Sequence, residues 1–212
     1  MSSKFVHLHV HSHYSLLDGL VKIKPLVKAA KERGFSAVAV TDSGAMYSAI
    51  EFYQACLAND IKPIIGTETY LGPRSRHDKD LQEDKDLYSL ILLAKDFEGY
   101  QNMMRITSIS HLEGFFHNKP RCDKDLLREY GKGIIALSGD IDGEVPTLLK
   151  RGKYEEAKKV ALEYEEIFGK DHFYLELQDH SALEGQIMVN NELIKLSQET
   201  GIPMIVSRNV HY

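Results

Sequence analysis

The chain has 212 residues, of which 43% are hydrophobic and 27% are charged, and its formal net charge at pH 7 is −5. This length is enough to bury a large core in one domain, and the acidic balance excludes a global basic surface for nucleic acid. The two cysteines, Cys56 and Cys122, form no CxxC pair, which excludes a disulfide scaffold and favours a reducing compartment. The N-terminal sequence has no long apolar run, so we expect a cytoplasmic protein without a signal peptide or membrane span.

Short apolar runs alternate along the chain with segments of helical periodicity. Seven runs predict strands: Phe5–His9, Ala37–Val40, Pro63–Glu68, Leu90–Leu93, Gly133–Leu137, Phe173–Leu177 and Met204–Val206. Five segments predict helices: Ile23–Arg33, Tyr47–Asn59, Phe97–Leu112, Lys153–Phe168 and Leu183–Thr200. Residues 72–86 are polar, charged and almost free of apolar side chains, which predicts an exposed loop.

The alternation of strands and helices predicts parallel βα units in a single domain over residues 1–212. Strands that are apolar on both faces predict a sheet covered on both sides. A closed barrel and an open doubly wound sheet both satisfy this pattern. The chain ends at Tyr212, directly after a predicted strand and a polar turn, and we interpret this end as a boundary within a longer protein.

Polar side chains follow the ends of most predicted strands. In chain order they are His9 and His11, Asp42 and Ser43, Glu68, Asp140, Asp179 and His180, and His211. The carboxyl ends of parallel strands lie on one face of an α/β fold, where active sites are built. We therefore expect these chain-distant residues to converge, with His9, His11, Glu68, Asp140 and His211 lining one cavity.

The strongest local signal is the alternation of histidines at His7, His9 and His11. Residues at i, i+2 and i+4 of a strand share one face, and three imidazoles on one face indicate metal binding or a proton relay. Imidazole suits zinc, manganese and iron, and Asp18 and Glu68 would complete a mixed nitrogen and oxygen shell. The alternative is a polar strand end with solvated histidines.

Several phrases resemble the PHP superfamily (polymerase and histidinol phosphatase). His9-Val10-His11-Ser12 followed by YSLLDG at 14–19 is similar to its first motif, and TDSG at 41–44 is similar to its second, usually TDHG. Other phrases resemble the PHP domain of bacterial DNA polymerase III alpha subunits: IEFYQAC at 50–56, IKPIIG at 61–66, LEGF at 112–115, KPR at 119–121, ALSG at 136–139, FYLELQDH at 173–180 and NVHY at 209–212. The resemblance covers the whole chain and implies a distorted (β/α)7 barrel, in agreement with the seven predicted strands.

Taken residue by residue, the resemblance implies a metal centre that has lost ligands. It places ligands at His9, His11, Asp18, Glu68 and His211, with His111 or His117 in a further place. Four positions depart from the family pattern: Ser43 and Ser89 stand where relatives carry histidine, Asp140 replaces a cysteine, and Asn209 replaces an aspartate. Serine is a poor ligand for these metals, whereas Asp140 remains competent and disfavours zinc. The family site is trinuclear, so we expect a partly degraded centre with one or two zinc or manganese ions.

The resemblance also implies a function. It identifies the chain as the N-terminal domain of a replicative polymerase, a nucleotidyltransferase whose polymerase carboxylates lie outside these residues. The implied partners are the rest of the alpha subunit, a proofreading exonuclease, and DNA through the parent polymerase. We expect a mainly structural and interaction role.

The alternative function is that of an active metal-dependent phosphoesterase, either a 3′–5′ exonuclease or a phosphomonoesterase. Ser43, Ser89 and Asn209 argue against it. The basic run Lys119-Pro120-Arg121 would suit contact with a phosphate, but we interpret it as a solvated loop.

Overall fold

The computed structural model describes residues 5–180 and 183–212. The strands in this part of the chain are β1 (Ala37–Val40), β2 (Lys62–Leu71), β3 (Tyr88–Ala94), β4 (Phe115–Phe116), β5 (Lys119–Cys122), β6 (Ile134–Leu137), β7 (Phe173–Gln178) and β8 (Met204–Ser207). The helices are α1 (Ile23–Glu32), α2 (Ala49–Leu57), α3 (Phe97–Leu112), α4 (Lys124–Tyr130), α5 (Glu144–Lys150), α6 (Tyr154–Phe168) and α7 (Gln186–Thr200). None of the described helices is long and apolar enough to cross a membrane.

The strands form a distorted barrel that an irregular N-terminal segment closes. The ring runs β1-β2-β3-β6-β7-β8, and residues 7–11 lie between β1 and the residues that follow β8. The amide of Thr41 donates to the carbonyl of Val10 at 2.8 Å, and the amide of His11 donates to the carbonyl of Val210 at 2.8 Å. Counting residues 7–11 gives seven members, so the predicted (β/α)7 barrel is confirmed.

Two details of the predicted strands were wrong. Phe5–His9 is not a regular strand, and its region contributes a single bridge between Val10 and Val210. In addition, β3 runs antiparallel to both β2 and β6, whereas the sequence predicted parallel units throughout. A parallel return needs a crossover, usually a helix, and residues 72–86 have no apolar periodicity with which to form one.

Side chains alternate between the barrel interior and the surrounding helices. On β3, Ile91 and Leu93 pack inward in one cluster with Ala39 and Leu137. The intervening residues of β3 pack outward in the larger cluster formed by α3 to α7. Because inward positions recur every second residue, Ser89 shares the inward face of Ile91 and Leu93. The antiparallel direction of β3 then places Ser89 at the same barrel end as the carboxyl ends of the other strands.

The loop at 72–86 is mostly exposed, as predicted, but it is anchored at buried charges. Asp84 is 1% exposed, and Arg74 donates two hydrogen bonds to its carboxylate at 2.7 and 2.8 Å. Arg121 is also 1% exposed, and its guanidinium donates to the carbonyls of Gly114 and Arg76, each at 3.1 Å. The solvated-loop interpretation of residues 119–121 was therefore wrong, because these residues form β5 and Arg121 supplies donors to buried carbonyls.

Candidate metal centre

Polar side chains occupy the inward positions at the carboxyl end of the barrel. On β2, Glu68 lies four residues after the inward Ile64, and on β7, Glu176 lies two residues after the inward Tyr174. The alternation that builds the apolar interior therefore also aims these carboxylates inward. The barrel interior changes from apolar to charged along its axis.

His9, His11 and Glu68 form the most buried group at this end. His9 donates from Nδ1 to Oε1 of Glu176 at 3.0 Å, and both side chains are fully buried. The Nε2 atoms of His9 and His11 are buried and have no hydrogen-bond partner in the described part of the chain. Glu68 Oε2 lies 3.5 Å from His11 Nε2, and the three residues offer ligand atoms within 4.8 Å of one another. A divalent cation fits this set, because it would satisfy two buried nitrogens that otherwise lack partners.

Asp18, His11 and His211 form a second, more exposed group. Asp18 Oδ1 lies 3.2 Å from Nδ1 of His211, and the His211 ring stacks on that of His11 with centroids 4.3 Å apart. Gly19 permits the tight loop that carries Asp18, since a Cβ there would lie 2.1 Å from the carbonyl oxygen of Ser12. Both groups use His11, whose Nδ1 already contacts Ser15 and Ser43. The two groups therefore compete for one imidazole.

Ser43 lies between these two groups. Its hydroxyl lies 3.1 Å from Nδ1 of His11 and has hydrogen-bond geometry to Asp18 at 3.2 Å and to Glu68 at 3.3 Å. The position that the family pattern gives to a histidine is thus occupied by a short hydroxyl that contacts members of both groups.

Asp140 forms a separate network with the other two departing positions. Ser89 donates from its hydroxyl to Oδ1 of Asp140 at 2.8 Å, and Asn209 donates from Nδ2 to Oδ2 at 3.1 Å. Both oxygens of this carboxylate therefore accept a hydrogen bond from the chain itself. The network connects the start of β3 with the residues that follow β6 and with those that follow β8.

A cleft of about 770 Å3 opens above these groups. Its walls include the predicted site residues Asp18, Ser43, Glu68, His111, Asp140, Asn209 and His211. His9 and His11 are fully buried beside it, at the level of Glu68 and Glu176. The structure thus brings the predicted residues to one end of the barrel.

The remaining histidines have other surroundings. His111 donates from Nε2 to the carbonyl of Gly44 at 2.9 Å and belongs to neither ligand group. His117 lines an adjoining cavity. The ring of His7 packs against Phe5 and Phe35, so the expectation of three imidazoles on one face was wrong. The reason is that residues 7–11 do not keep a regular strand repeat.

Burial and neighbouring charges set the protonation of the most buried group. Burial lowers the pKa of His9, but the charge and hydrogen bond of Glu176 outweigh it and raise the value to about 9. Burial, with the charges of His9 and His211, lowers the pKa of His11 to about 2. Burial raises the pKa of Glu68 to about 7, against the opposing charge of His9. Without a cation, His9 is charged and His11 is neutral, so one histidine already has the deprotonated form that a metal requires.

Two carboxylates that position the site were not among the predicted ligands: Glu176 was not singled out from the sequence, and Asp42 was named only as a polar residue at a strand end. Glu176 holds His9, and its sequence signal is a carboxylate at an inward position of the apolar strand Phe173–Gln178. Asp42 accepts hydrogen bonds from the amide and hydroxyl of Ser12 at 2.7 and 2.9 Å and from the hydroxyl of Ser15 at 2.8 Å. Asp42 therefore positions the loop that contacts His11. Asp179, which also follows a strand, is exposed and pairs with Arg208 at 2.9 Å.

Comparisons with known proteins agree with this architecture. The PHP domain model matches residues 7–180. The DNA polymerase III subunit alpha of Borreliella burgdorferi is 46% identical over 214 residues, which cover 99% of this chain and 18% of that protein. The Treponema pallidum subunit is 44% identical over 209 residues, which cover 98% of this chain and 18% of that protein. The chain thus spans under a fifth of the length of these relatives.

Two solved structures share the fold at low sequence identity. One is described as a metal-dependent phosphoesterase from Bifidobacterium adolescentis, with a TM-score of 0.58, 11% identity, and coverage of 100% of this chain and 90% of that one. The other is an amidohydrolase from Chromobacterium violaceum, with a TM-score of 0.57, 12% identity, and coverage of 97% and 87%. At such identities the likeness shows the fold alone. Because the chain forms this barrel and the PHP domain model matches residues 7–180, the chain belongs to the PHP domain family.

Proposed function

We propose that this chain is the PHP domain of a replicative DNA polymerase III alpha subunit, with a metal centre reduced to a single well-formed cation site. Its main role is architectural: it supports the polymerase core and docks a proofreading exonuclease. The curated relatives, which are alpha subunits that match nearly the whole chain, support this assignment.

The observation that carries the proposal is how the departing residues are bonded. Ser89 and Asn209 satisfy both oxygens of Asp140, and Ser43 contacts the carboxylates of Asp18 and Glu68. These hydrogen bonds therefore partly stabilise the carboxylates that a bound cation would otherwise stabilise. In the most buried group, beside Glu68, the Nε2 atoms of His9 and His11 keep the unpartnered character of vacant ligands. In the outer part of the site, Asn209 Oδ1 and His211 Nδ1 are also without a hydrogen-bond partner among the described residues.

His9, His11 and Glu68 would hold the cation, and Glu176 would orient His9 through its other ring nitrogen. When bound, a divalent cation supplies Lewis-acid polarisation of a phosphoryl oxygen or an activated water. With one cation and no second metal to stabilise the leaving oxygen, we expect phosphoester hydrolysis to be feeble. The retained group is also what favours the alternative function, a metal-dependent phosphoesterase.

Metal stoichiometry tests the reduced centre. After loading with manganese or zinc and removal of excess metal, we expect one cation per chain by elemental analysis, and no more than two. His9→Ala should abolish this binding, whereas His211→Ala should leave most of it, because His211 belongs to the more exposed group. Three cations per chain, together with manganese-dependent release of nucleotides from single-stranded DNA, would instead establish the phosphoesterase.

Binding partners test the architectural role. The chain, mixed with the remainder of its alpha subunit or with the proofreading exonuclease of the same organism, should co-elute in size-exclusion chromatography. His9→Ala should co-elute equally well, because docking does not need the cation. If neither partner binds the wild-type chain, the architectural proposal is wrong.

A further inference from the structure

Three side chains converge on one carboxylate oxygen behind the candidate cation site. Oε1 of Glu176 accepts hydrogen bonds from Nδ1 of His9 at 3.0 Å, from Nε2 of Gln178 at 2.9 Å and from the hydroxyl of Ser207. Gln178 is 2% exposed and Ser207 is 0% exposed. The carboxylate that holds the ligand His9 is therefore itself held by two buried donors.

Strand register brings these side chains together. Glu176 and Gln178 are two residues apart on β7, so they share the inward face on which Tyr174 lies. On β8, Ser207 lies two residues after the inward Ile205, and it is the direct partner of Gln178 in the parallel pairing of the two strands. Alternation and register thus place both donors beside Glu176 from regular backbone, which positions side chains more precisely than a loop does.

The end of β7 is held from α7. Asn190 donates from Nδ2 to the carbonyl of Gln178 at 2.9 Å, and Gln186 donates from Nε2 to Oδ1 of Asn190 at 3.0 Å. Because Gln178 is the last residue of β7, these hydrogen bonds keep its backbone in line with the strand. Its side-chain amide therefore approaches Glu176 from a fixed direction.

The contact between Gln178 and His9 is indirect. Nε2 of Gln178 lies 3.3 Å from Nδ1 of His9, but both atoms carry hydrogen when His9 donates to Glu176, so neither accepts from the other. They interact through the Oε1 atom that they share. Oε2 of Glu176 is buried and has no hydrogen-bond partner in the part of the chain that the structure describes. The orientation of the carboxylate therefore depends on the donors to Oε1.

The two imidazoles of the most buried group differ in what lies behind them. Nδ1 of His9 faces the carboxylate of Glu176, whereas Nδ1 of His11 contacts the hydroxyls of Ser15 and Ser43 at 3.2 and 3.1 Å. A carboxylate behind a ligating imidazole fixes the ring and strengthens it as a ligand, and such outer partners are worth roughly 10–100-fold in metal affinity. The side chains that hold Glu176 can therefore influence cation binding through His9.

We propose that Gln178 and Ser207 are positioning residues of the cation site. They hold Glu176 against Nδ1 of His9 and thereby keep Nε2 of His9 directed at the cation. This inference rests on the proposed function, because it requires a cation bound by His9, and it goes beyond that function by assigning two residues outside the ligand set. The alternative is a network that only satisfies a buried carboxylate, which would stabilise the fold without affecting the cation.

The test is the affinity of the chain for Co²⁺, measured by competition with a chelator, together with the visible absorption of the bound ion. Gln178→Met keeps a similar volume but removes the donor, so it should weaken binding roughly tenfold and change the absorption spectrum. Ser207→Ala is a smaller change and should act in the same direction. The matched control is Asn102→Leu, which removes another buried amide donor, 2.9 Å from the carbonyl of Lys132, and should leave affinity and spectrum unchanged.

A double-mutant cycle separates a role through Glu176 from a general loss of packing. In a Glu176→Gln background, Gln178→Met should weaken Co²⁺ binding no further, because the carboxylate that Gln178 positions is gone. A further loss of the same size in that background would overturn the inference and leave the proposed function intact. Wild-type affinity and spectrum in both Gln178→Met and Ser207→Ala would do the same. A wild-type chain that binds no cation would overturn both the inference and the proposed cation site.

Discussion

At the scale of single residues, the site depends on a buried pair that holds a ligand in place. His9 and Glu176 are both fully buried, and Glu176 also accepts a hydrogen bond from Gln178 at 2.9 Å. Desolvating two charges is costly, so the pair adds little net stability, yet removing one partner leaves the other charge uncompensated. The pair therefore fixes the orientation of His9 more than it stabilises the fold.

Replacing Glu176 tests this account. Glu176→Gln keeps the shape but removes the charge facing His9, and we expect the free energy of unfolding to fall by roughly 3 kcal/mol. The measurement is urea denaturation in EDTA, with an unchanged dependence on urea. The control is Glu199→Gln, which removes the same charge from an exposed pair with Lys158 and should have little effect. Equal losses in the two variants would contradict a special role for Glu176.

The positions of single residues also show how much of the site was predictable from the sequence. Most of the residues at strand ends converged as expected, because strand direction and alternation fix where Glu68 goes and strand direction brings Asp140 to the same end. Asp179 did not, since it is exposed and pairs with Arg208. The pairing of His9 with Glu176 spans 167 positions along the chain, and a local pattern cannot specify such a contact. The position of His7 was also missed, since it depends on an irregular segment rather than on a strand repeat.

At the scale of elements, β5 and the 72–86 loop depend on one buried arginine. The guanidinium of Arg121 donates to carbonyls on two segments and lies 4.7 Å from the centroid of the Phe116 ring. The guanidinium is buried, so its bonds to these carbonyls are shielded from water. The loop therefore keeps a defined path despite its exposed, charged sequence, and its last residues line the cavity of about 900 Å3 that adjoins the cleft.

Arg121→Met tests the anchoring. The substitution retains much of the volume but leaves buried carbonyls unsatisfied, so we expect a loss of roughly 3 kcal/mol in the free energy of unfolding. Cleavage within 72–86 by a protease specific for acidic residues should accelerate, and the substitution removes no such cleavage site. In the control, Arg33→Met replaces an exposed arginine that directly follows α1, and it should change neither the free energy of unfolding nor the cleavage rate. Unchanged cleavage in Arg121→Met would show that the loop is held by its other ion pairs, Arg74 with Asp84 and Arg76 with Asp123.

At the scale of the whole molecule, the barrel was predictable and its distortion was not. Six of the seven predicted strand regions are strands, because their apolar runs are long enough to identify them. The first run serves as the seventh member through hydrogen bonds on both sides, without strand geometry. The reversed direction of β3, the β4-β5 hairpin and the short helices α4 and α5 depend on packing between distant segments, which local periodicity does not record.

Restoring the family ligands tests the whole centre at once. We expect Ser43→His/Ser89→His/Asp140→Cys/Asn209→Asp to keep the fold, because each of the four positions lines the cleft or the cavity that adjoins it, where a larger side chain has room. It should also gain cation affinity, since two imidazoles replace serine hydroxyls, which bind these metals poorly, and the thiolate at position 140 favours zinc more than the present carboxylate does.

The measurement is thermal unfolding at pH 8 with and without manganese or zinc. A cation that binds only the folded state, at a hundredfold excess over its Kd, stabilises by about 2.7 kcal/mol, which for a domain of this size is a rise in Tm of roughly 5–10 °C. Ser43→Gln/Ser89→Gln fills similar space with weak ligands and should show no gain over the wild type. A restored protein without any metal-dependent rise would mean that these four positions do not belong to a common metal centre. In that case the hydrogen bonds of Ser43, Ser89 and Asn209 to their carboxylates would be an ordinary polar network rather than the replacement of a lost metal centre.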